Sequence, residues 1–148
     1  MPADNVLLGQ ELITEFLTAI QAEMVAYLDM NDRNATGRSR ASIQVVNVTN
    51  STGQLIGSDS IEYVFTGRGP GKMPPLNAII DWCNARGLPR QMAWSVAKKI
   101  AESGTKLYQS GKKPLDDILT EERIEKFKND LAVIFTAQIQ SELNSILV

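Results

Sequence analysis

Two apolar stripes at helical spacing, one near each end of the chain, limit its fold more than any other feature. Leu8, Leu12, Phe16, Ile20, Met24 and Leu28 recur at every fourth residue, and Ile13, Leu17 and Val25 widen the stripe. Side chains at this spacing line one face of an α-helix. Phe127, Leu131, Phe135, Ile139, Leu143 and Ile146 hold helical spacing nearly to the C-terminus. A helix is marginal on its own in water, so this stripe predicts that the last helix packs against something for its whole length. Asp4 can cap the first helix and Thr120 the last, where Glu121 and Glu122 in the first turn oppose the helix dipole.

The segment between the stripes mixes both periodicities. Residues 31–37 are polar and turn-forming, and Arg38 to Arg40 lead into the next element. Ile43, Val45, Val46 and Val48 read as a strand, Asn50 to Gly53 as a turn, and a second short strand follows around Leu55 and Ile56. A third strand is expected over Ile61 to Phe65, and the short connections require an antiparallel meander. Gly67 to Pro75, GRGPGKMPP, is a loop. A helix through Leu76, Ile79, Ile80 and Cys83 carries Trp82 on its flank and closes at Gly87, where a left-handed cap is wanted. A second helix has Pro89 in its first turn, Trp94, Ala97, Ile100 and Ala101 on its apolar side, and Gly104 at its end. Thr105 to Pro114 reads as an exposed loop, followed by a short helical turn around Leu115 to Leu119. The fold class is therefore α+β: a small antiparallel sheet of about three strands packed with long N- and C-terminal helices and a central helix pair, all in one domain spanning residues 1–148.

Composition removes several functions. At 148 residues, with 43% hydrophobic and 22% charged side chains, the chain has the makeup of a folded globular domain. No apolar run approaches the roughly 18 residues of a membrane span, and no basic segment followed by an apolar one opens the sequence, so it is expected to be made inside the cell. The single Cys83 allows no internal disulfide, and there is no histidine. Metal chemistry and Ser/His or Cys/His nucleophiles thereby lose their usual ligands and bases. No cofactor is expected.

Charge is segregated although the net value is only −2. Residues 1–67 hold 3 basic and 8 acidic side chains, 68–113 hold 9 and 2, and 114–148 hold 3 and 7. The basic middle is either ordinary solvated charge or a patch facing DNA or an acidic protein. The glycine-rich loop beside Lys72 fails as a P-loop, because Thr66 and Met73 stand where glycine and a hydroxyl residue are needed. The helix pair around Arg86 to Arg90 offers a helix-turn-helix alternative, with Arg90, Lys98 and Lys99 reaching DNA, although Trp94, Val96, Ala97 and Ile100 leave a narrow polar face. The adjacent carboxylates Asp116/Asp117 and Glu121/Glu122 do not share a helix face and read as solvated helix starts. Trp82 and Trp94 read as core anchors.

Four strings in order resemble the neck and tail-completion proteins of tailed bacteriophages and related prophages. TGRSRASI (36–43) is similar to the segment where that family's first helix ends and a Gly-basic dipeptide leads into Ser and an aliphatic strand. IEYVFTGRGPGKMPP (61–75) resembles its aromatic strand and Gly-Arg loop with proline, although Phe65 and Thr66 stand where an acidic residue often precedes the glycine. LNAIIDWCNARGL (76–88) is similar to its Trp-bearing helix with a basic-Gly-aliphatic cap, and AWSVAKKIAESGT (93–105) to the helix that follows. The resemblance covers residues 36–105. It implies a non-catalytic α+β virion subunit, made in the host bacterial cytoplasm, that forms a six- or twelve-fold ring between the portal and the tail. Adjacent connector, portal and tail proteins would be its partners, and genomic DNA would be able to pass through the ring. In such a ring Arg68, Lys72 and Met73 of the loop are the expected contacts with a neighbouring subunit or ring.

Overall fold

The computed structural model describes residues 2–31 and 37–147, with the backbone alone for 2–8. The side chains of Asp4 and Leu8, and with them the expected cap and the start of the stripe, lie outside the described residues, as do residues 32–36 of the expected turn. In chain order the described elements are α1 (Pro2–Met30), α2 (Arg38–Ser42), β1 (Gln44–Val46), β2 (Gln54–Ile56), α3 (Ile61–Thr66), α4 (Leu76–Ala85), α5 (Met92–Ser103), α6 (Lys106–Ser110), α7 (Pro114–Ile118) and α8 (Glu121–Leu147). They form two compact units, one from residues 1–24, 43–56 and 116–148 and one from 25–42 and 57–115. Mostly helical with a small antiparallel sheet, the chain is α+β in the broad sense.

In the first unit α1 buries Ile13, Ile20 and Met24 from its stripe, and Ile43 and Ile118 complete the core. Phe16 stacks on Phe127 of α8 with ring centroids 4.0 Å apart. The sheet is a single antiparallel pair in the register Gln44 to Ile56, Val45 to Leu55 and Val46 to Gln54. Its connection is held by Thr49, whose carbonyl-side partner Thr52 accepts from the Thr49 amide at 2.8 Å and whose hydroxyl accepts from the Thr52 amide at 3.0 Å. The sheet meets α1 closely. A Cβ on Gly53 would stand 2.6 Å from the Ile13 side chain, and Gln21 donates to the Ile43 carbonyl at 2.7 Å, satisfying a backbone acceptor beside a buried residue.

The expected third strand is a helix instead. Its first turn is set by the Ile61 amide donating to Ser58 O and the Tyr63 amide to Ser60 O, with Glu62 placed favourably for the dipole. A strand would put Ile61, Tyr63 and Phe65 on one face. The helix puts Ile61 and Phe65 together, buries Phe65 at 1% exposure with its ring 5.3 Å from that of Tyr27, and leaves Tyr63 outside. Partnerless β-branched residues beside a strand only three residues long gain less from pairing than Phe65 gains from burial.

The second unit buries Leu28, Phe65, Cys83, Ala93, Ala97 and Leu107. Gly87 adopts φ 69°, with Leu88 N donating to Cys83 O at 2.8 Å and Gly87 N to Asn84 O at 3.2 Å, the paired bonds of a Schellman cap. The second helix of the pair starts later than Pro89, which instead accepts from the Met92 amide in the preceding turn. Residues 105–114 are also not simply a loop, since α6 forms between Thr105 as N-cap and Gly111 as left-handed C-cap.

Thr120 does cap α8, accepting from the Arg123 amide at 3.3 Å, and Asp116, Asp117, Glu121 and Glu122 are exposed at helix starts as expected. The C-terminal stripe, however, is only partly covered. Phe127, Leu131 and Phe135 are half-buried, whereas Ile139, Leu143 and Ile146 are exposed at 58%, 52% and 77%. The cause is geometric: every fourth residue of an α-helix is rotated by about 40°, so between Phe127 and Leu143 the stripe turns about 160° around the axis.

Candidate functional site: a clasped loop

The loop from Gly67 to Pro75 is fixed at its base by backbone geometry. The Arg68 amide donates to the Thr105 hydroxyl at 3.0 Å, and the Thr105 amide returns a bond to the Arg68 carbonyl at 2.9 Å. Farther along, the Gly71 amide donates to the Ala101 carbonyl of α5 at 2.8 Å. Three bonds thus tie the loop to the end of α5 and the start of α6.

Glycine is required at the two closest points of this clasp. Gly67 has φ 76°, and a Cβ there would stand 2.5 Å from the Tyr108 backbone nitrogen; Gly104 has φ 77°, and its Cβ would stand 2.8 Å from the Arg68 carbonyl oxygen. Both positions combine a left-handed backbone with no room for a side chain. Tyr108 lies over Gly69, where a Cβ would meet its ring at 3.2 Å.

The three expected contact residues divide into two places. Arg68 belongs to the base: it is half-buried, with its guanidinium 5.0 Å from the centroid of the exposed Tyr63 ring. Lys72 and Met73 are exposed at the tip, followed by the buried Pro74. Thr105, Tyr108 and Tyr63 were not singled out by the sequence. Thr105 and Gly111 had the N-cap and C-cap chemistry that could have located α6, but one turn of helix with a single buried leucine has no visible period.

The second unit carries 12 Lys/Arg and 6 Asp/Glu, against 3 and 11 in the first. Part of this basic charge is paired, Arg38 with Asp81 at 3.0 Å and Arg40 with Asp29 at 3.5 Å. On α5, Arg90 of the preceding turn, Lys98 and Lys99 are exposed. Trp94 is not a core anchor: it is 55% exposed, and the Lys98 ammonium lies 5.2 Å from its ring centroid. The small Ala93 and Ala97 take the buried positions, so the polar face of this helix is broader than the sequence implies. Trp82 is half-buried beneath Arg86, whose guanidinium lies 5.1 Å from its ring.

Among the described residues no three His, Cys, Asp or Glu side chains come together as a metal site, and no helix is long and apolar enough to cross a membrane. The chain matches no protein-family model, no curated protein and no solved structure.

Proposed function

We propose that this protein is a structural subunit of a tailed-bacteriophage head-tail connector, a neck or tail-completion ring that joins the portal of the DNA-filled capsid to the tail and performs no catalysis. The observation that carries this reading is the clasped loop, held by two backbone–backbone bonds and one from the Arg68 amide to the Thr105 hydroxyl, and bare at its tip. A loop ordered before contact loses little conformational freedom on docking, and Lys72 and Met73 offer one charge and one adaptable apolar side chain to a neighbouring subunit or ring. Repetition around a six- or twelve-fold ring multiplies modest contacts into a firm joint. The ordered resemblance over residues 36–105 supplies the class of assembly, and virion localisation follows from it.

The test is electron microscopy of particles made without this gene and with it restored. DNA-filled heads lying apart from complete tails are the expected result; normally joined particles would overturn the proposal. Lys72→Glu combined with Met73→Ser should reproduce the defect while sparing the clasp, whereas Arg68→Glu also removes the stacking on Tyr63.

A second reading is favoured by the exposed Trp94 beside Lys98, Lys99 and Arg90: duplex DNA binding by the α4 and α5 pair. Binding through phosphates would weaken steeply with added salt. A fluorescence titration showing no DNA binding at low salt eliminates it.

A further inference from the structure

Two heptad seams run along α8, and among the described residues only one is covered. Ile124, Phe127, Leu131, Ile134, Gln138 and Ser141, spaced alternately three and four residues apart, are all half-buried. Asn129, Ala132, Thr136, Ile139, Leu143 and Ile146 repeat the same alternation and are all exposed. The covered seam is apolar at its start and polar at its end; the exposed seam is the reverse. Alternating three-four spacing selects a second α-helix as its partner, because it keeps one seam facing a neighbouring helix through many turns.

We infer that the exposed seam of α8 is a self-association surface that pairs antiparallel with the same seam of a second copy of this chain. The seam is complementary to itself in that direction alone. Antiparallel pairing sets Asn129 against Ile146, Ala132 against Leu143 and Thr136 against Ile139, so a smaller side chain meets a larger one in every layer. A shallow trough lined by Ala132, Thr136 and Ala137, with Asn129, Val133 and Gln140, receives the three large side chains of the other copy. Parallel pairing would stack small on small and large on large.

Charge agrees with this direction. From Leu131 to Leu147 the only ionised side chain is Glu142, so nothing along the apolar part of the seam repels a copy of itself. Lys128, which also pairs with Glu125 of its own helix at 3.1 Å, and Glu142 immediately precede Asn129 and Leu143 on the same flank of the seam; two-fold antiparallel pairing brings that flank of each copy against the other's, with Lys128 about 7.5 Å along the axis from the level of the other copy's Glu142. The inference depends on α8 alone and stands whether or not the protein joins heads to tails.

Sedimentation of the full-length protein over a range of concentrations should give a dimer or an even-numbered assembly. Leu143→Glu should raise the concentration for half-association about thirtyfold or more, with helicity by circular dichroism unchanged because Leu143 is exposed. A wild-type protein that remains monomeric into the high micromolar range, or a Leu143→Glu variant that associates as the wild type does, overturns the inference. Direction is read by mixing Ala132→Cys and Leu143→Cys proteins under oxidising conditions. Disulfides joining one variant to the other are expected, and Ala132→Cys proteins that cross-link only among themselves overturn the antiparallel arrangement. The buried native Cys83 stays out of this exchange.

Discussion

The Thr105 hydroxyl accepts from the Arg68 backbone amide at 3.0 Å and from the Tyr108 amide at 3.4 Å, so one side chain starts α6 and holds the base of the loop. Two functions that the sequence keeps 37 residues apart meet on a single oxygen.

Thr105→Val keeps the shape and removes that oxygen. It should lower stability by about 1–3 kcal/mol, combining the loss of a cap with an unsatisfied amide. Thr105→Ser should recover most of this. Urea unfolding gives the energies, and faster hydrogen exchange at the Arg68 amide identifies the loop as the site of the loss.

Gly67→Ala and Gly87→Ala separate steric from conformational cost. Both glycines have positive φ, but the space beside Gly87 is open whereas the Gly67 position is occupied by Tyr108 backbone. Gly87→Ala should cost about 1–2 kcal/mol, and Gly67→Ala about 3 kcal/mol or more. Equal losses in thermal unfolding would contradict the clasp geometry.

Phe127→Ala should destabilise the first unit by about 2–4 kcal/mol, toward the lower end because the ring is half-buried. A double-mutant cycle with Phe16→Ala should return a coupling of about 0.5–1.5 kcal/mol for the stacked pair. A coupling near zero in chemical denaturation would place the rings apart.

On α5, the large aromatic and the small aliphatic should behave contrary to their sizes. Trp94→Ala removes an exposed ring and one cation–π contact and should cost less than about 1 kcal/mol. Ala97→Leu forces volume into a position with 0% exposure and should cost about 1–3 kcal/mol. Melting temperatures of the two variants decide the matter.

The sequence located all the long helices, the left-handed cap at Gly87 and the N-cap at Thr120, because each depends on a local period or on one residue's backbone chemistry. Its errors lie where the local signal was evenly balanced. Ile61 to Phe65 has strand-forming residues, and the burial of Phe65 beside Tyr27 decided for a helix. Thr105 to Pro114 has too few apolar residues to reveal one turn of helix. Trp94 was expected inside, on one apolar side with Ala97, Ile100 and Ala101, yet the neighbouring Ala93 and Ala97 allow that face of α5 to be buried without it.

At the candidate site, the glycines and prolines of residues 67–75 announced a loop, since no other residue types impose such backbone limits. That Arg68 stays at the base while Lys72 and Met73 reach the tip depends on hydrogen bonds to Thr105 and Ala101, which no spacing encodes. The C-terminal stripe shows the same division. Its periodicity determined by itself that residues 121–147 form a helix, because backbone hydrogen bonding and side-chain spacing are both local. Which residues of that helix are covered was decided by tertiary structure alone, because a stripe that rotates about the axis meets the rest of the chain along only part of its length.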